Sequence, residues 1–265
     1  MSLFPLDKIK PEKEEEGRYY NSHYFNYDGQ QQVRLEYRFP KCSLTADCVV
    51  FGFDGKDLHI LLIERGIEAF KGMWALPGGF MNPNETIEEC AERELWEETK
   101  VRDVYKEQFG VFSAIDRDPR CRVVTVGFVA LVRKSDFEVI GGSDAKKAQW
   151  FKEDELPPLA FDHEEIVKAA RNHLKERMRI EPIAFNLLNE KFSISELQQV
   201  YEAIKGENYD RRNFYRKMIS SGYLQNEGKS EEPTPNRRPD LFSFDTKQFK
   251  EDETDNPSQT DSLLF

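Results

Sequence analysis

Three glutamates, Glu94, Glu97 and Glu98, stand at i, i+3 and i+4, the spacing that projects side chains from one face of a helix. Three clustered carboxylates repel one another and need a counter-charge. Mg2+, with Mn2+ as the alternative ion, is a hard cation that suits oxygen ligands together with substrate phosphates. Glu85 and Arg93 lie at the start of the same stretch or within it, placed to orient the metal-binding carboxylates from behind. The preceding Gly78-Gly79 pair lets backbone approach an ion and a phosphate closely, so Gly78 joins the three glutamates as a metal-site candidate. An acidic helix face alone is usually a solvated face. The arginine and the glycine pair around this one carry the case for chemistry.

Two further groups of residues could bind something. In the run Asp116-Arg117-Asp118-Pro119-Arg120, followed by Arg122, the guanidinium forks match phosphate oxygens. The other reading is a salt-bridged turn. Near the C-terminus, residues 206–222 set four cations, Arg211, Arg212, Arg216 and Lys217, against Glu207 and Asp210, for a net +2 in an acidic chain. Those cations suit DNA phosphates, and Asn213 suits a base edge. The other reading is a helical appendage whose basic residues pair with nearby acids. Asp116, Asp118 and Glu107 are unranked candidates for a general base. Trp74 reads as core, and His163 and His173 as helix residues without catalytic work.

The elements that must position these residues follow from patterning. The run 44–53 is apolar and β-branched, and Asp54-Gly55 signals a hairpin into 58–66. A short apolar segment 73–80 ends in the glycine pair. A helix is predicted over 86–98, strands at 105–114, 122–132 and 150–151, and a helix over 163–178. Strands mixed with two substantial helices imply a sheet sandwiched between helices. Glu181-Pro182 interrupts the pattern. Ser193 with Glu196 fits a capping box that opens a helix stopped by Gly206, and Asp210 suits the N-cap of a second helix running to Gly222. A hairpin follows, from Tyr223-Leu224 to 241–244. Its loop carries Arg237 and Arg238, which could reach a groove or phosphates, and the acidic Glu231-Glu232. The expected divisions are an extension over 1–40 that packs through Tyr19, Tyr20, Tyr24 and Phe25, a first domain over 41–180, a second over 181–245, and a disordered acidic tail over 246–265.

Composition bounds the rest. The 265 residues suffice for one or two domains, and 38% hydrophobic content for a real core. The formal charge of -11 argues against indiscriminate nucleic-acid binding while leaving room for a local basic face. Four cysteines without CxxC spacing argue against zinc and against a disulfide framework, and three of them fall in patterns that predict burial. No stretch reaches membrane-spanning length and the N-terminus lacks an apolar signal core, so a reduced, cytoplasmic protein is expected.

From Gly79 to Val101 the chain resembles the Nudix signature, G-x5-E-x7-R-E-U-x-E-E-x-G-U, where U is apolar. Gly79, Glu85, Arg93, Glu94, Leu95, Glu97, Glu98 and Val101 all match. Lys100 departs, standing where the pattern has glycine. The resemblance implies that Glu94 and Glu98 are the main metal ligands, with Glu97 assisting. Catalysis would rest on Glu97, Glu98, Arg93 and Glu85, and water would attack a diphosphate linked to another group. From about Cys42 to Asp245 the chain is also similar to the Nudix-related transcriptional regulators. That implies a Nudix α/β/α sandwich with a mixed sheet, followed by a winged helix-turn-helix domain. It further implies a homodimer on double-stranded DNA, and a nucleotide-sugar effector such as ADP-ribose, or a sugar. The competing expectations are a plain Mg-dependent Nudix pyrophosphatase whose C-terminal domain serves dimerisation, and a sugar sensor without catalysis.

Overall fold

β1 (Ser43–Phe53) organises the first half of the molecule, because its side chains alternate between two separate cores. In the computed structural model, which describes residues 42–137, 145–179, 181–231 and 238–255, Val49, Phe51 and Phe53 enter one core. Ala46, Cys48 and Val50 enter the other. β2 (Leu58–Arg65) and β6 (Val123–Arg133) alternate in the same way. α1 (Ile87–Thr99) closes one face with Cys90, Ala91 and Leu95. α2 (His163–Arg177) closes the other with Ile166, Val167, Ala170 and Leu174. This is the predicted sandwich.

With β3 (Trp74–Ala75), β4 (Gly78–Phe80), β5 (Tyr105–Phe112) and β7 (Ala145–Lys152), the sheet runs β3-β2-β1-β6-β5, with β4 paired to β1 and β7 to β2. The Asp54-Gly55 hairpin forms as expected: Asp54 Oδ1 accepts the Lys56 and Asp57 amides at 3.0 and 2.8 Å, and Gly55 has φ 96°. β7 is longer than the predicted 150–151. It pairs with β2 from Ala145 to Lys152, and its polar first half is held by that ladder rather than by apolar patterning.

The second half is a winged helix. β8 (Phe192–Ser193) leads into α3 (Ile194–Lys205) and α4 (Arg211–Ser220), and β9 (Leu224–Lys229) and β10 (Asp240–Phe244) form the wing, in sheet order β8-β10-β9. The local signals hold. Ser193 and Glu196 make both bonds of the capping box, Gly206 caps α3 at φ 75°, and Asp210 caps α4 through the Asn213 amide. The two halves share one apolar core: Leu174, Ile183, Leu187, Phe192, Leu197, Tyr201 and Phe214 belong to the same cluster as Val49 and Phe51.

Two expectations are corrected. The acidic tail opens with a helix, α5 (Thr246–Asp255), because Phe249 is buried against Tyr223 and Phe244 and Asp245 caps the first turn through the Gln248 amide at 2.9 Å. Two cysteines rather than three are buried: Cys48 and Cys90 lie in the core, whereas Cys42 and Cys121 are exposed at strand and loop ends. The N-terminal extension, Arg237, Glu232 and the tail beyond residue 255 lie outside the described residues.

Candidate functional site

α1 is fixed at both ends. Thr86 caps its N-terminus in a capping box with Glu89, and Lys100 ends it in the left-handed conformation, φ 62°, its amide donating to Trp96 O at 3.0 Å. Lys100 thus does the conformational work of the glycine it replaces, at a cost of about 1 kcal/mol. Its ammonium and the Arg102 guanidinium lie over the Trp96 ring at 5.1 and 4.7 Å.

Arg93 is the hub of the carboxylates. It donates to both Glu85 oxygens at 2.9 and 2.6 Å, to Glu94 Oε1 at 2.6 Å, to Glu97 Oε2 at 3.4 Å and to the Phe80 carbonyl at 3.0 Å. The Arg93 bonds hold the Glu85 carboxyl at about 2. Glu98 is buried and accepts the Gly78 amide at 2.9 Å. Burial pushes its carboxyl up to about 8, and facing Glu94 and Asp47 adds to the rise. Burial raises Glu94 as well, against the pull of Arg93. The glycine pair is required by contact: a Cβ on Gly79 would lie 2.4 Å from Glu94 Oε1, and one on Gly78 2.2 Å from Ala46 O.

Several of these groups line a cleft of about 250 Å³. Glu94, Glu98, Arg93, Gly78, Arg117 and Arg120 line it. Glu85 sits behind Arg93, and Glu97 is at the rim, its side chain 43% exposed. The arginine run follows the salt-bridged reading to a large extent. Arg117 is buried and grips Asp162 at 2.9 and 2.7 Å, with Asp47 at 3.5 Å. Arg120 grips Asp118 at 3.0 and 2.7 Å, while its plane lies over Phe80 and Phe161 at 5.1 and 5.4 Å. Arg122 is turned away from the cleft, donating to the Ala114 carbonyl. Of the three base candidates, Asp118 alone lines the cleft. Glu107 is held by His173 and Arg177 between β5 and α2, and Asp116 is exposed on the loop.

Sequence reasoning missed several cleft residues. Asp47 is buried on β1, and a charged residue inside an apolar run was its signal. His163, expected to be idle, accepts the Leu76 amide on Nδ1 at 2.9 Å, and its Nε2 faces Asp47 Oδ1 at 3.7 Å. Burial pushes this imidazole down, keeping it neutral. Arg65 closes β2, its guanidinium 4.7 Å from the centre of the Phe161 ring. Among the described residues its Nη2 is buried without a partner, as is Thr45 Oγ1 on the same cleft. Nothing in the local sequence of Arg65 or Phe161 marks either one.

On the winged helix, Arg211, Arg212, Asn213 and Arg216 are exposed on α4 and Lys217 is half-buried. Arg238 joins Arg211 and Tyr215 around a groove of about 280 Å³ bounded by the start of α3. Asn213 Oδ1 accepts from Arg216 at 2.6 Å.

Comparison with known proteins matches both halves. Residues 43–170 match the NUDIX domain model, and residues 184–244 match the NrtR DNA-binding winged helix domain. The ADPR responsive transcriptional repressor NtrR of Acinetobacter baylyi is 32% identical over 77% of this chain and 84% of that protein. The chain belongs to the Nudix-related transcriptional regulators. Its fold agrees: the crystal structure of Shewanella oneidensis NrtR complexed with a 27mer DNA matches at TM-score 0.67 and 30% identity, covering 76% of this regulator and 93% of that chain. The Nudix half alone is 46% identical to the ADP-ribose pyrophosphatase of Methanocaldococcus jannaschii, over 45% of the regulator and 69% of the enzyme. Among the described residues of the regulator, no helix is long and apolar enough to cross a membrane.

Proposed function

We infer that this regulator binds an ADP-ribose-like diphosphate in its Nudix cleft and double-stranded DNA through its winged helix, as a cytoplasmic homodimer, and that the cleft retains hydrolysis. One observation carries the reading: a cleft lined by both carboxylates and a cation-aromatic group shares its core with a winged helix whose α4 arginines have no carboxylate partner among the described residues. Glu94, Glu98 and Asp47 are the carboxylates, and Arg65 and Arg120, packed on Phe161 and Phe80, are the cation-aromatic group. The relatives named above are a repressor responsive to ADPR, a protein crystallised with DNA and an ADP-ribose pyrophosphatase, which supports each part.

The cleft fits Mg2+. Among the described residues, no three carboxylate, imidazole or thiol groups enclose an ion by themselves. Mg2+ does not require that, since it keeps several waters and binds through one or two carboxylates plus phosphate oxygens. Glu94 and Glu98 are hard oxygen donors that repel each other when both are charged, and they would hold the ion beside the Gly78 backbone, with Glu97 at the rim. Bound there, Mg2+ would polarise the phosphoryl oxygens and lower the pKa of water.

The chain's own residues do the rest. Arg93 fixes the rotamers of Glu85 and Glu94. The Gly78 amide orients Glu98. The Arg65 Nη2, without a partner among the described residues, would donate to the ligand's phosphates, Arg120 held by Asp118 would shape the site beside it, and Phe161 would pack on the ligand's flat or apolar parts. In hydrolysis, water oxygen joins one phosphorus and the bridging P–O bond breaks, leaving two monophosphates.

The test has two arms. Mobility shifts on DNA upstream of the protein's own operon, with ADP-ribose or pentoses added, should show sequence-specific binding that ADP-ribose changes. No specific shift at moderate salt refutes the regulator. Incubation with ADP-ribose and Mg2+ should release monophosphates, and turnover that survives Glu97→Gln combined with Glu98→Gln refutes the catalytic assignment. The second reading, a pyrophosphatase whose winged helix serves dimerisation, is favoured by the complete carboxylate set and predicts turnover without DNA binding.

A further inference from the structure

α4 mixes two kinds of side chain on its exposed face. Arg212, Tyr215, Arg216 and Ile219 stand at i, i+3, i+4 and i+7, which aligns them in one stripe along the helix. Phe214 and Met218 face the opposite way into the core. Tyr215 and Ile219 are 46% and 39% exposed.

Arginines alone would make a phosphate-binding face. Phosphate offers nothing to an isoleucine or to the ring of a tyrosine. Base edges do, because thymine presents a C5-methyl in the major groove, and apolar side chains make their sequence-specific contact there. The flanking charge selects the occupant. Arg211, Arg212 and Arg216 form no ion pair among the described residues, so the stripe sits in a positive field that favours a polyanion over an apolar protein surface. Asn213, the base reader expected from sequence, has its amide oxygen tied to Arg216, so a two-bond contact to adenine would first have to break that bond.

Resting on the DNA-binding reading above, we propose that Tyr215 and Ile219 read sequence by packing on thymine C5-methyl groups in the major groove, while Arg212 and Arg216 hold the flanking phosphates. The apolar pair specifies and the arginines position.

The full-length protein would first select its preferred duplex from a randomised double-stranded library. Fluorescence anisotropy at fixed salt would then compare that duplex with copies in which single thymines are replaced by deoxyuridine. The replacement removes the methyl and keeps the base pair. Each contacted methyl should be worth about threefold to fivefold in Kd. Wild type should lose that factor at one or more positions. Ile219→Ala and Tyr215→Ala should bind the thymine duplex that much more weakly and no longer distinguish it from the uracil copy. Ile219→Thr keeps the branched shape and serves if the alanine variant folds poorly. Wild-type indifference to every uracil overturns the proposal, and so do variants that keep the discrimination. A variant that instead changes the sedimentation of the free protein, with discrimination intact, marks a protein interface and also overturns it. If no duplex is enriched, the DNA-binding reading itself falls and takes this inference with it.

Discussion

Arginine is used in opposite ways at the two ends of this molecule. In the Nudix cleft, Arg93 is surrounded by Glu85, Glu94 and Glu97, Arg117 is gripped by Asp162, and Arg120 by Asp118. On α4, Arg211, Arg212 and Arg216 have no carboxylate partner among the described residues, where their side-chain bonding is that of Arg216 to Asn213. The first set is already satisfied and serves to shape a site. The second set, without a carboxylate partner among the described residues, is available to an external anion. The difference teaches that counting cations does not find a binding surface, whereas asking which of them already have partners does.

The largest effect that would break this comparison comes from the hub. Arg93→Ala leaves Glu85 and Glu94 crowded without their counter-charge, and should cost about 3 kcal/mol of unfolding free energy in urea and abolish turnover. A loss under about 1 kcal/mol would mean that the cluster is not organised by Arg93.

Next in size is a pH effect at Glu98. Its carboxyl ionises near 4.5 in the unfolded chain and at about 8 in the folded one. Between those values the folded state binds the extra proton, so stability without Mg2+ should fall as pH rises through that window. Mg2+ must displace the proton, so its affinity should climb toward pH 8, with proton release visible by calorimetry in buffers of different ionisation enthalpy. Glu98→Gln should flatten both trends. A pH-independent Mg2+ affinity would contradict the assignment of Glu98 as a ligand.

The contrast sharpens on the DNA side. Arg212→Ala with Arg216→Ala should weaken binding to all duplexes alike and reduce the salt slope by about 2, with stability changed by under about 0.5 kcal/mol. A stability loss as large as that of Arg93→Ala would show these arginines to be structural. The smallest effect is at Lys100. Lys100→Gly relieves the left-handed lysine and should raise stability by at most about 1 kcal/mol, since the contact with Trp96 is lost. A clear destabilisation would show that the Trp96 stack outweighs the strain.

Much of the molecule was legible before folding. The two cap signals at Ser193 and Asp210, the Asp54-Gly55 hairpin and the face of Glu94, Glu97 and Glu98 all depend on neighbours within a few residues, and all appear as expected. The tail helix was not legible, because its acidic composition hides one residue, Phe249, whose burial depends on Tyr223. The arginine run was legible only as an alternative. Whether Arg117 reaches a ligand or an aspartate depends on where Asp162 lies, 45 residues away.

By itself, then, the sequence determined the carboxylate helix, its Gly78-Gly79 approach, the Lys100 departure and the order of elements in the winged helix. These follow from helical periodicity, capping and backbone sterics, which act locally. Only the tertiary structure decided that Asp47, Arg65, Phe161 and His163 complete the cleft, that Arg122 leaves it, and that the two halves share one core. The physical reason is that sheet register and burial bring together residues from distant strands and loops. Whether a given charge is then spent on a neighbour or left for a ligand depends on those long-range partners.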